Sequence, residues 1–114
     1  MPIQLDSVEQ FQSYLSGVVD RARHHAPEIQ EVILTLAGAV LLSKDAGTAV
    51  EARSWQGSTA NILWATFNGQ RHVFTYDHRQ SRIVIKQRST RGPVVGYFDN
   101  RTSTAQVINI FRRL

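Results

Sequence analysis

The sequence predicts an α+β fold: an antiparallel meander of four to five strands with two N-terminal helices and one C-terminal helix packed on one face. Three observations carry this. Apolar residues recur at helical spacing as far as Leu42; beyond Lys44-Asp45-Ala46-Gly47 the pattern changes to short β-rich runs; and Asn68-Gly69, the preferred two-residue hairpin turn, separates two of those runs.

The first helix opens at Asp6-Ser7-Val8-Glu9-Gln10, where Asp6 or Ser7 serves as N-cap and Glu9 or Gln10 reaches back to close a capping box. Val8, Phe11, Tyr14, Leu15, Val18, Val19 and Ala22 form its apolar face, and it runs from about Ser7 to His24 or His25, before Pro27 interrupts it. A second helix starts near Pro27 with Glu28 in its first turn and carries Ile29, Val32, Ile33, Leu36, Ala37, Val40 and Leu41. Its opposite side, with Leu34, Ala39 and Leu42, is also weakly polar, which makes it the most buried helix. Periodicity alone leaves a short strand inside Val32–Leu36 as the competing reading.

Strands are expected at Thr48–Trp55, Asn61–Phe67, Gln70–Tyr76 and Arg82–Arg88, with a short edge strand at Val94–Phe98 after the Arg91-Gly92-Pro93 turn. Thr102 or Ser103 then caps a final helix with Val107, Ile108, Phe111 and Leu114 on its apolar side. With no repeat, linker or low-complexity stretch, residues 1–114 read as a single domain.

A two-residue hairpin fixes cross-strand neighbours. Phe67 pairs with Gln70, Ala65 with His72 and Leu63 with Phe74 on one face, while Trp64–Val73 and Ile62–Thr75 occupy the other. A five-residue loop at Asp77–Ser81 then sets Ile83 and Ile85 beside Thr75 and Val73, so the face with Ile62, Trp64, Val73, Ile83 and Ile85 is expected under the helices. The remaining face mixes aromatic rings with cations: Phe67, His72, Phe74, Tyr76, Arg82, Lys86 and Arg88, with Arg91 at its end.

Charge is segregated along the chain. Residues 1–69 carry four Lys or Arg against seven acids, whereas residues 70–114 carry nine against only Asp77 and Asp99. Such a basic half attracts a polyanion or an acidic protein, or shields a sheet edge from aggregation. The chain has no Cys, which excludes disulfides and thiolate-based zinc or redox chemistry. The start Met1-Pro2-Ile3-Gln4-Leu5-Asp6 lacks the basic and apolar regions of a secretory signal, and the longest apolar run, Val32–Leu42, is too short to cross a bilayer. A cytoplasmic protein without membrane association is expected.

Chemistry-bearing motifs are missing. His24 and His25 are adjacent near a helix C-terminus, where cations complement the dipole, and His72 and His78 show no ligand spacing. There is no GxSxG, HExxH, P-loop or GxGxxG run, so no catalytic, cofactor or metal residues are assigned. An acid–base pair drawn from His72, Tyr76 or Glu51 would require an enclosing pocket.

The stretch Arg91-Gly92-Pro93-Val94-Val95-Gly96-Tyr97-Phe98-Asp99-Asn100-Arg101-Thr102, followed by Ile110-Phe111 and Leu114, resembles the ending of small proteins encoded by mobile integron gene cassettes. The resemblance implies a bacterial, often oligomeric protein of unknown function and brings no catalytic residues. On the residues themselves, Gly92-Pro93 turns the chain, Phe98 anchors the edge strand and Asp99-Asn100 or Thr102 caps the last helix.

The functional expectation is a non-enzymatic, homo-oligomeric interaction domain that uses the mixed face of Phe67, His72, Phe74, Tyr76, Arg82, Lys86, Arg88 and Arg91. Binding of single-stranded nucleic acid or RNA on that face is the first alternative, with rings stacking bases and cations holding phosphates. A small-molecule-binding protein is the second; it needs a cavity between the sheet and the second helix, where Ala37 and Gly38 leave room.

Overall fold

A computed structural model describes residues 3–54 and 61–114. The order is β1 (Ile3–Gln4), α1 (Val8–His25), a 3-10 turn (Pro27–Ile29), α2 (Val32–Ser43), β2 (Glu51–Ser54), β3 (Asn61–Phe67), β4 (Gln70–Asp77), β5 (Arg82–Gln87), β6 (Val94–Phe98) and α3 (Thr104–Arg112). The sheet is an antiparallel meander of six strands in sequence order, one or two more than expected, because Ile3 and Gln4 pair with Ala52 and Glu51 at the edge. The expected first strand begins later than Thr48, and its Trp55 end lies outside the described residues.

Local chemistry accounts for the helices. Ser7 caps α1 by accepting from the Gln10 amide at 3.1 Å, while the Gln10 side chain accepts from the Ser7 amide at 3.1 Å. Ser103 and Gln106 repeat that box on α3. Pro27 opens the 3-10 turn rather than α2 itself, and Val32–Leu36 is helical. Asn100 does not cap α3. Its carboxamide oxygen accepts from the Glu31 and Val32 amides at 2.9 and 3.1 Å, and its amide nitrogen donates to the Pro27 carbonyl at 2.7 Å. The second residue after β6 thus satisfies the otherwise bare start of α2.

Asn68 and Gly69 both take positive φ, 53° and 79°, as the two-residue turn requires. The Asp45 carboxylate accepts from both of their amides, at 2.8 and 2.6 Å, which pins the loop after α2 to the hairpin. The β3–β4 register is the expected one from Leu63–Phe74 to Phe67–Gln70.

The β4–β5 register is not the expected one. Asp77 pairs with Arg82, Tyr76 with Ile83 and Phe74 with Ile85, so the connecting loop is one residue shorter than expected. Asp77 Oδ1 accepts from the Arg79 and Gln80 amides at 3.0 and 3.3 Å, and Ser81 closes the turn at φ 54°. Because side chains alternate with period two, that single residue moves all of β5 to the other face. Ile83 and Ile85 therefore join Leu63, Ala65, Phe67, His72, Phe74 and Tyr76 under the helices. Burial of Ile85, which is 0% exposed, contributes roughly 1.5–3 kcal/mol toward this register.

The core lies between this face and the three helices. Phe111 of α3 sits 5.4 Å from Phe67, 6.1 Å from Phe74 and 6.2 Å from Phe98, ring centre to ring centre. At Gly96 a Cβ would come within 2.9 Å of Ile110 Cγ2, so the missing side chain is what lets α3 approach β6. No helix among the described residues is long and apolar enough to cross a membrane.

Candidate functional site

The register separates the residues that the sequence reading had put together. Phe67, His72, Phe74 and Tyr76 face the chain's own helices, and the first three are buried. Arg82 and Lys86 point to the opposite, helix-free face, with Arg53 and Arg71. Arg88, at φ 70°, and Arg91 are exposed in the β5–β6 turn. The mixed aromatic and basic face is therefore two faces, and its aromatic part is core.

His72 illustrates the change. It is 0% exposed, its Nδ1–H donates to the Gln70 carbonyl at 2.9 Å, and its Nε2 is buried without a hydrogen-bond partner. Burial holds its pKa below the ordinary value, so it is a neutral core residue beside the Phe67 ring. The three residues considered as acid–base partners are not brought together. His72 is in the core, Glu51 pairs with Arg71 at 3.0 Å on the open face, and Tyr76 lines a cleft.

On the open face the cations lie against rings. Arg82 stands 3.9 Å over Tyr97, and Arg53 and Arg71 lie 5.8 and 5.4 Å over Trp64. Between them, Val73 and Val84 are buried, flanked in register by Trp64, Lys86, Thr75 and Tyr97. Long side chains cover a small apolar floor.

The cleft lies on the helix side. Only Ala22 of α1 is fully buried; Phe11, Tyr14, Leu15, Val18 and Val19 are half-buried, because the helix stands off the sheet. The space beneath it forms a cavity of about 110 Å³ reaching Arg21, His25, Tyr76 and His78, and an adjoining lobe of about 90 Å³ reaching Leu36, Ala37 and Val40. Tyr14, Val18, Ile33, Leu63, Phe74 and Ile83 line both. Ala37 lines the space as expected; Gly38 does not, since it points to solvent.

Polar groups gather at one end of this apolar space. The Tyr76 hydroxyl donates to Glu28 Oε1 at 2.9 Å, and its ring meets His78 edge-on at 4.7 Å. Burial raises the Tyr76 pKa, with the Glu28 carboxylate adding to it and Ser81 opposing it. Burial also pushes Tyr14 well above the ordinary phenol range, offset only in part by the Arg21 cation. Both phenols are therefore firmly protonated donors. The Tyr14 hydroxyl has no hydrogen-bond partner among the described residues. With Arg21, His25 and His78 nearby, the arrangement suits an acceptor or anionic group attached to an apolar body. No cluster among the described residues could hold a metal ion.

Sequence reasoning placed Tyr14 on the inner stripe of α1 and gave His25 only a helix-terminal role, and it brought neither Arg21, His25 nor His78 to a cleft. The available signal was the run Tyr14, Val18, Arg21, His25, in which polar-tipped side chains continue an apolar helix face. His24, by contrast, turns outward to Asp20 at 3.9 Å.

None of the curated proteins matches this chain. A family model described as "Integron cassette protein VCH_CASS1 chain" matches residues 11–108, from the first turns of α1 into α3. The likeness read in the last quarter of the sequence thus extends over nearly the whole fold, and the chain belongs to the VCH_CASS14 integron cassette protein family.

Proposed function

We propose that this protein binds a small amphipathic molecule in the cleft beneath α1, its apolar body between Val18, Ile33, Phe74 and Ile83 and an anionic or acceptor head toward Tyr14 and Arg21. The carrying observation is the two-lobed apolar cavity with an unpartnered, firmly protonated phenol on its wall. Lobes of about 110 and 90 Å³ are close to the size of cavities that hold a single benzene ring, roughly 150 Å³, so a compact ligand fits. Few convergent polar groups on an apolar wall are the usual composition of such sites.

Calorimetry and thermal shift with benzoate, 3-phenylpropanoate and octanoate test this, each against its neutral alcohol. At least one carboxylate is expected to bind more tightly than its alcohol and to raise the melting temperature, since a ligand at about 100 Kd stabilises by about 2.7 kcal/mol. Tyr14→Phe should weaken binding about 2–10-fold, the worth of one hydrogen bond. Val18→Phe, which adds a ring at the wall shared by both lobes, should abolish binding while leaving the chain folded. Absence of heat and of stabilisation for all three acids overturns the proposal.

A second reading, anion binding on the open sheet face, is favoured by Arg53, Arg71, Arg82 and Lys86 sharing one surface. Stacking would there fall to Trp64 and Tyr97, not to the buried Phe74. Fluorescence anisotropy with a labelled single-stranded oligonucleotide at low and physiological salt checks it. Binding that weakens steeply with salt, and further in the Arg82→Ala, Lys86→Ala double variant, would support it; no binding at low salt would reject it.

A further inference from the structure

We infer that β6 is the docking edge for an extended, acidic peptide segment of another protein, which adds a further strand to the sheet at the groove between β6 and α3. The two edges of the sheet are unlike. One is β1, only two residues long. The other is β6, Val94–Phe98, which has five residues and no charge among them. Edge strands are ordinarily kept very short or given charged side chains, because their outward N–H and C=O groups are a template for another strand. Pro93 and a bulge at Val95 blunt only the start of β6; Gly96, Tyr97 and Phe98 stay in regular register with Ile85, Val84 and Ile83. Among the described residues no backbone hydrogen bond reaches these three from the side away from β5. Tyr97 is 53% exposed, so its ring is open to a neighbour.

A groove of about 790 Å³ lies between this edge and α3, within the range of ligand clefts, roughly 300–1,000 Å³. Gly96 and Tyr97 form one wall; Asn109, Ile110, Arg112 and Arg113 form the other. The occupant follows from what the walls offer. A row of alternating outward donors and acceptors is matched by an extended polypeptide, whose backbone supplies affinity while side-chain contacts supply specificity. The only charged side chains on the walls are Arg112 and Arg113, and neither makes an ion pair or hydrogen bond among the described residues. Asp99, in the loop joining β6 to α3, is already paired with Arg101 at 3.7 Å. Carboxylates on the incoming strand would therefore meet two uncompensated cations. A second copy of this chain does not fit that requirement, since its own edge, Val94–Phe98, brings no acid and leaves both arginines opposite an uncharged strand. Nucleic acid would use the cations but leave the strand edge unpaired.

Three fluorescein-labelled hexapeptides test this against the full chain by anisotropy at physiological salt: alternating valine and glutamate, alternating valine and lysine, and the glutamate peptide N-methylated at every amide. The glutamate peptide should bind with a dissociation constant below about 1 mM, at least about 10-fold tighter than the lysine peptide. The N-methylated form keeps the charges but has no backbone donors, and should not bind. The Arg112→Gln, Arg113→Gln double variant, with its helical signal unchanged, should bind the glutamate peptide about 2–30-fold more weakly, the worth of two exposed ion pairs. Amide shifts on titration should centre on residues 95–98 and 109–113. The inference is overturned by no binding at about 1 mM, by equal binding of the glutamate and lysine peptides or of the N-methylated form, or by a double variant that binds as before. Shifts centred instead on Arg53, Arg71 and Arg82, or a β6 edge already taken by a second copy, overturn it equally.

Discussion

His72 shows how one side chain couples a local hydrogen bond to the pH response of the whole chain. With Nδ1–H given to Gln70 and Nε2 enclosed, protonation would place a charge with no partner in the core. Its pKa is therefore lower folded than unfolded, so the unfolded chain takes up the proton first as pH falls. Stability from this residue is complete above its ordinary value of 6.5 and is lost as pH drops from there toward the folded pKa. Urea titrations at closely spaced pH values should give a slope of up to about 1.4 kcal/mol per pH unit in that window, removed in His72→Leu whatever its absolute stability. The sequence placed His72 opposite Ala65 correctly. It did not show that their face is the covered one, because that depended on the next strand.

Among the elements, those governed by local rules were legible and those governed by long-range partners were not. The Ser7–Gln10 box, the Asn68-Gly69 hairpin and the Ser103 cap follow from residues a few positions apart. Strand β1 has only two residues and no periodicity of its own; it exists because β2 offers an edge. The β5 register turned on whether Asp77 belongs to the loop or the strand, and it serves as both: its backbone pairs with Arg82 while its side chain forms the turn. Asn100 looked like a cap for the helix that follows it, yet it caps α2, 68 residues earlier. Removing that side chain leaves the Glu31 and Val32 amides and the Pro27 carbonyl without it. Asn100→Ala should therefore cost about 1–3 kcal/mol, read as a lower urea midpoint at unchanged slope.

At the scale of the molecule, residues 1–69 supply α1 and α2, which shape the cleft, and both halves contribute to the open sheet face, Arg53 and Trp64 from the first and Arg71, Arg82 and Lys86 from the second. The charge asymmetry was visible in the sequence; the cleft was not, since it arises where α1, α2 and the sheet fail to close on one another. The gap lies under α1 because that helix stands off the sheet: Ala22 is its one fully buried residue, Phe11, Tyr14 and Leu15 are only half-buried, and Val18 lines both lobes. The same packing leaves α2 half-clad on its outer side. The most direct test of the cleft is amide and methyl chemical-shift mapping of the full chain during titration with benzoate and 3-phenylpropanoate. Saturable shifts centred on Tyr14, Val18, Ile33, His78 and Ile83 are predicted, absent in Val18→Phe; shifts confined to Arg53, Arg71 and Arg82 on the open face, or none at millimolar ligand, would contradict it.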